Sequence, residues 1–240
     1  MARHSSAGKE SGILRDYVIA VSIAVAIAVL IRIFLIEAYR IPSHAMRPTL
    51  EAGDTIFVSK SAYGLHFAWP WGSHAVAATT PKRGDVVIFA TLADPDYDYI
   101  KRVVGLPGDQ IQVRNGHVIL NGHALSMDPP NGKPCGSQVL PLGPTHEICW
   151  EPPSIPDCAP LQIPEQMVFV IGDMRSDAKA ATLNTLGSAD SAKFRSWGMI
   201  PIASLKGKAL WVWLSVEPHS VSRGSLFPQI RFERMLRRIQ

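Results

Sequence analysis

Cysteine is scarce in this chain: three among 240 residues, Cys135, Cys149 and Cys158, with no C-x-x-C spacing. That argues against a thiolate zinc site and allows at most one disulfide, with one thiol left over, if the compartment is oxidising. The spacing leaves the pairing open. The eight histidines are scattered. H-E-x-x-H is absent, and "THEIC" at 145–149 lacks the i, i+4 partner that a zinc helix needs. A G-x-x-x-x-G-K-[ST] loop is missing too, so the reading is of a protein with no metal and no cofactor. Lys and Arg number 24 against 20 Asp and Glu, a balance of +4 dispersed along the chain. Without a basic stripe interleaved with aromatics, nucleic acid is not the expected partner. There is no internal repeat and, beyond the first apolar run, no segment with a sustained helical period.

One long hydrophobic run is present. "YVIAVSIAVAIAVLIRIFLI", residues 17–36, carries Arg32 as its only charge. At about 1.5 Å per residue, 20 helical residues span roughly the 30 Å hydrocarbon core. Arg32 lies near the end, where its stem carries the guanidinium to the interface. The run exceeds the apolar core of a cleaved secretory signal, and no A-x-A-like site follows, so an uncleaved anchor is expected. Arg3, Lys9 and Arg15 precede it, which leaves 1–16 in the cytoplasm and 37–240 on the far side of the membrane.

The exported part reads as mainly β. Short runs rich in Val, Ile and Phe, bounded by turn residues, predict strands at 55–59, 85–91, 117–122, 167–173 and 207–216. Residues 126–166 are dense in Pro and Gly and hold all three cysteines, as an insertion or subdomain would. In "LHFAWPWG", 65–72, Phe67, Trp69 and Trp71 around Pro70 read as a loop, packed on its own core or dipping into the membrane surface. The tail "IRFERMLRRIQ" has two readings. It is a solvated helix face, or a lipid contact with Ile230, Phe232 and Leu236 on an apolar side and Arg231, Arg234, Arg237 and Arg238 toward headgroups.

With metal and nucleotide chemistry set aside, a hydroxyl or an amine remains. Lys101 sits in "YDYIKRVVGLPGDQI" among apolar residues that would strip water from its ammonium in a strand. Burial disfavours the charged form and lowers a lysine pKa, and a neutral lysine can serve as general base.

Three segments then align in one order: "IPSHAMRPTLEAGDTIFVSK", "RGDVVIFATLADPDYDYIKRVVGLPGD", and "VFVIGDMRSD" with "SADSAKFRSWGMIP". Together with the N-terminal run they resemble the type I signal peptidases, membrane-anchored Ser/Lys endopeptidases that remove signal peptides from exported preproteins. The resemblance extends to the C-terminus, weakening across 126–166 and 174–187. It implies a β-rich catalytic domain with a single N-terminal transmembrane helix, in the bacterial inner membrane, acting on signal peptides.

In that family the first motif reads P-S-G-S-M-x-P-T-L, with the nucleophile just before the methionine. Here that position is Ala45, and His44 replaces the glycine. The resemblance makes Lys101 the general base, Ser43 a part of the oxyanion hole and Ser188 the residue that orients the lysine. Asp173, Arg175 and Asp190 match the last motif, in which Met174 replaces an asparagine and Arg195 is the nearest counterpart of a displaced arginine. In the implied mechanism the lysine takes the serine proton and the alkoxide attacks the carbonyl after a small residue. Ala45 has no oxygen to give. The chain is then a peptidase that has lost its nucleophile, or a non-catalytic homologue that binds exported or membrane proteins. Ser43 is a poor substitute, since two residues of displacement carry the attack several Å from the oxyanion donors.

Overall fold

A computed structural model describes residues 7–69, 72–76, 79–91, 94–114, 117–125, 127–128, 135–149, 158–175, 197–218 and 228–240. Helix α1 (Ala7–Phe34) opens the chain. Its side chains are described at 15–30, 32 and 34, and they are exposed. Among the described residues no helix is long and apolar enough to cross a membrane.

All the described strands pair antiparallel. The main sheet has the order β1 (Ile36–Arg40), β2 (Asp54–Ser59), β16 (Leu205–Ser215), β5 (Val86–Thr91), β6 (Asp94–Gly105), β14 (Met167–Ile171) and β15 (Trp197–Pro201), with β17 (Arg237–Arg238) also on β16. A second sheet runs β13 (Cys158–Gln162), β7 (Gln110–Arg114), β8 (His117–Leu120), β9 (His123–Ala124). A third joins β10 (Met127–Asp128), β11 (Cys135–Val139) and β12 (Thr145–Cys149), and β3 (Leu65–Trp69) pairs β4 (Gly72–Val76). Each of the five predicted strands is present, because β-branched runs between turn residues suit a pleated, buried surface. Residues 65–69 and 72 correct the loop reading, since their backbone pairs across strands from Leu65↔Val76 to Trp69↔Gly72; Trp71 lies outside the described residues.

Alternation on the main sheet divides the core. Val86 and Ile88 pack with Ile41, Met46, Leu50, Ile56 and Ile239, while Val87 and Phe89 pack with Tyr99, Val103, Val168 and Val170. A third cluster links the sheets through Val104, Ile111, Leu140, Cys158, Ile163, Phe169 and Trp197. Within 126–166, β10, β11 and β12 form a sheet of their own, whereas β13 pairs with β7, and Leu140, Cys158 and Ile163 are buried in the shared core. The disulfide joins Cys135 and Cys149, directly opposite one another on β11 and β12. Cys158 is buried apart from it, accepting the Val113 N–H at 3.1 Å.

The tail is not a helix. One 3-10 turn (Phe232–Arg234) leads into β17, and Ile239 is buried with its N–H on the Leu210 carbonyl at 2.9 Å. Arg231 and Arg234 turn inward: Arg234 Nη2 donates to the buried Asp54 at 2.6 Å and Arg231 Nη1 to Glu51 at 3.1 Å. The carboxylates of the turn after residue 50 offset those guanidiniums, which corrects the reading that all four arginines face outward. Ile230, Phe232 and Leu236 do remain exposed.

Candidate active site

The loop 42–50 is held from both ends. Met46 and Leu50 are fully buried, and Leu50 N–H donates to the Met46 carbonyl at 2.9 Å, which fixes the turn that carries Ala45. Past it, Gly53 has φ +90° and an added Cβ would stand 1.9 Å from the Val216 carbonyl oxygen, so only glycine closes this turn onto β2. Ser43 and Ala45 are half-buried and His44 is exposed.

Lys101 lies on β6 with Tyr99 and Val103 on the same face, because side chains two apart share a side of the pleat. Both neighbours are buried and Lys101 itself is 2% exposed, so its stem is desolvated as expected for a strand lysine. β14 delivers the third element: Ile171 pairs with Arg102, and Gly172 follows it beside Lys101. A Cβ on Gly172 would lie 2.5 Å from the Ala45 carbonyl oxygen and 3.2 Å from Lys101 Nζ. A bare glycine is thus what lets the Ala45 backbone and the Lys101 amine converge. The Met174 N–H donates to the Ala45 carbonyl at 3.2 Å, tying the loop to the strand end.

On the opposite face of β6, Arg102 and Asp173 form a fully buried pair. Arg102 Nε and Nη2 donate to the two Asp173 oxygens at 2.8 and 2.7 Å, and Thr49 Oγ1 donates to Oδ2 at 2.5 Å. Arg102 Nη1 also reaches the Gly84 and Gln240 carbonyls at 2.8 and 2.6 Å. Burial opposes ionisation of Asp173, but the Arg102 charge and its hydrogen bonds, with His146 and Thr49, hold the carboxyl below its ordinary range. Arg175 is buried as well and donates to Gln138 Oε1 at 3.0 Å. Ser188, Asp190 and Arg195 lie outside the described residues.

His146 is a member of this cluster that sequence reasoning missed. It stands 3.9 Å from Asp173 on β12, where alternation turns His146 and Ile148 inward and Thr145 and Glu147 outward. Only that alternation in "THEIC" could have revealed it. Burial first, and then the Arg102 charge, push its pKa down to about 4. Since the unfolded imidazole titrates near 6.5, the unfolded state binds more protons between these values, and stability falls as pH drops from 6.5 toward 4. We expect a loss on the order of 3 kcal/mol across that window, read by denaturant unfolding in detergent, and a nearly flat profile for His146→Leu. An unchanged slope in that variant would assign the acid sensitivity elsewhere.

The arrangement offers a buried amine, a backbone turn with half-buried Ser43 and Ala45 beside it, and a buried salt bridge bracing both from behind. Among the described residues no group of His, Cys, Asp and Glu could hold a metal ion. The sequence model of the family described as "Signal peptidase, peptidase S26" matches residues 14–214. The signal peptidase I of Pseudomonas fluorescens is 34% identical over 209 residues, covering 79% of this chain and 68% of that protein. That of Pseudomonas aeruginosa is 33% identical over 208 residues, with the same two coverages. A solved signal peptidase I from Enterococcus faecalis V583 matches 54% of this chain and 97% of its own at 21% identity and a TM-score of 0.32, too distant a likeness to add weight. On the strength of the family match and the Pseudomonas relatives, this chain belongs to the signal peptidase family, peptidase S26.

Proposed function

We propose that this chain is a membrane-bound signal peptidase I whose nucleophile seat holds Ala45: it binds signal peptides of exported preproteins and, as written, does not cleave them. The observation that carries this reading is the convergence at Gly172, where Lys101 Nζ and the Ala45 backbone come within a single side chain's reach of one point. Lys101 is the general base, and the backbone N–H of residue 45 with the Ser43 hydroxyl forms the oxyanion site. Ser188, by the family motif, orients the lysine. The substrate carbonyl is polarised at that site, but without a residue 45 hydroxyl no covalent acyl-enzyme forms. The serine endopeptidase chemistry is thus complete except for one oxygen.

The outward-facing valines and isoleucines of α1, each about half exposed, support a bilayer anchor at 17–36, since apolar side chains on every side of a helix need an apolar surround. With 1–16 in the cytoplasm, the domain from residue 37 meets signal peptides as they emerge. An uncleavable signal peptide bearing a photocrosslinker is expected to label this chain both in detergent and when added outside right-side-out spheroplasts. Labelling in detergent alone would overturn the orientation. Labelling in neither would favour a structural or assembly factor with no affinity for signal peptides.

A further inference from the structure

β11 and β12 turn at 140–144 and pair from Val139↔Thr145 to Cys135↔Cys149, so the disulfide closes the hairpin at the end farthest from its turn. Such an end is where strand pairing opens most easily, and a covalent link there holds the last pair together. Cys149, at 2% exposure, is also the point where this hairpin meets the candidate site.

The meeting is through backbone. Cys149 and Met174 form a parallel bridge: the Cys149 N–H donates to the Asp173 carbonyl at 2.9 Å, and the Arg175 N–H donates to the Cys149 carbonyl at 2.8 Å. Between these two bonds the Met174 N–H points the other way and donates to the Ala45 carbonyl at 3.2 Å. Residues 173–175 therefore lie between Cys149 on one side and residue 45 on the other. Gly172, which precedes them, is where a Cβ would come within 3.2 Å of Lys101 Nζ. A second strut joins the same hairpin to the segment, since Arg175 Nη2 donates to Gln138 Oε1 on β11 at 3.0 Å. The Asp173 carboxylate, fixed by Arg102 and Thr49, anchors only the first of the three residues to β6. The two amides that follow are oriented through Cys149 and Ala45.

We propose that the Cys135–Cys149 disulfide is a positioning element of the active site: it holds Cys149 as the backbone template for residues 173–175, and through the Met174 N–H it sets the residue 45 turn against Lys101. This role, which rests on the signal peptidase reading of the site, makes the geometry of the site depend on redox state. When a dithiol reduces the bridge, two electrons and two protons pass to the pair, Cys135 and Cys149 become thiols, and the dithiol closes to its own disulfide. The last pair of the hairpin is then held by hydrogen bonds alone. A displacement of about 1 Å at the seat costs on the order of 100-fold in rate while leaving remote substrate contacts in place.

The test uses the full chain as Ala45→Ser in a nonionic detergent, with turnover expressed per site that binds an uncleavable signal peptide, so that unfolded protein does not count. Cys135→Ala/Cys149→Ala in that background is expected to lower kcat about 100-fold, with KM changed less than about threefold. Reduction by a dithiol should give the same loss without any substitution, and reoxidation should restore it, which separates positioning from misfolding. Independently of turnover, amide hydrogen exchange in the Ala45 chain should show Met174 and Arg175 losing protection at least about tenfold on the double substitution, with β5, β6 and β14 unchanged. A kcat per site within about threefold of the disulfide-bonded protein, unaltered exchange at Met174 and Arg175, or a loss of protection spread evenly over the main sheet overturns the proposal. An Ala45→Ser protein that cleaves nothing overturns the peptidase reading instead, and the exchange measurement then decides the positioning role by itself.

Discussion

The Ala45→Ser protein is expected to cleave preproteins after a small residue, at a rate on the order of a millionfold above that of the Ala45 form. The argument is one of completeness. Lys101 is 2% exposed and flanked by buried Tyr99 and Val103, so bulk water has little access to its amine. Gly172 leaves open the space between that amine and the residue 45 backbone. Serine adds a single oxygen at a half-buried position of a turn already fixed by Met46 and Leu50. Effects within such a pair are not additive, so Ala45→Ser/Lys101→Ala should fall back to the level of the Ala45 chain rather than part of the way. The assay uses detergent-solubilised protein and several preproteins. If the Ala45→Ser protein cleaves none of them above the parent, the peptidase reading fails and the non-catalytic homologue takes its place.

Removing the Asp173 carboxylate should be the most costly single change to the fold. Asp173→Ala leaves Arg102 and Arg175 buried at 0% and 4% exposure with no carboxylate between them. Breaking a buried pair from one side typically costs about 3–5 kcal/mol, because the remaining charge stays desolvated. For a chain of this size that is a fall in Tm on the order of 10 °C. Replacing both members, Asp173→Leu with Arg102→Met, should recover much of the loss, since an apolar pair of similar volume carries no such penalty. Denaturant unfolding in detergent reads both variants, and a cost below about 1 kcal/mol for Asp173→Ala would mean that the pair is hydrated rather than buried. The sign with pH follows from the depressed carboxyl: the pair stabilises fully above the ordinary carboxylate range and loses its contribution as pH falls through the folded value.

The parts of the fold that could be read in advance are those with local causes. The runs that became β2, β5, β8, β14 and β16 declare themselves by β-branched residues between turn formers, and Lys101 announces a desolvated amine by its apolar flanks. The pairing of β3 with β4 did not, because Pro70 and the aromatics around it give no alternating pattern. The tail misled for a related reason. Arginines at helical spacing look alike from sequence whether they face lipid or Asp54, and the carboxylates that decide the matter are some 180 positions away.

The sequence by itself determined the chemistry available: the loop motif with its missing hydroxyl at Ala45, the amine at Lys101, the β-rich class and the family. Those features rest on residue types and short spacings, which a linear string preserves. Only the tertiary structure decided that Gly172 is the point where Ala45 and Lys101 meet, that Cys135 bonds to Cys149, and that His146 joins the Arg102–Asp173 cluster. It also separated two inward tail arginines, Arg231 and Arg234, from two exposed ones on β17. Each of these depends on strand register and on which face of a strand a side chain occupies. A shift of one residue would reverse every one of them, and no local pattern fixes it.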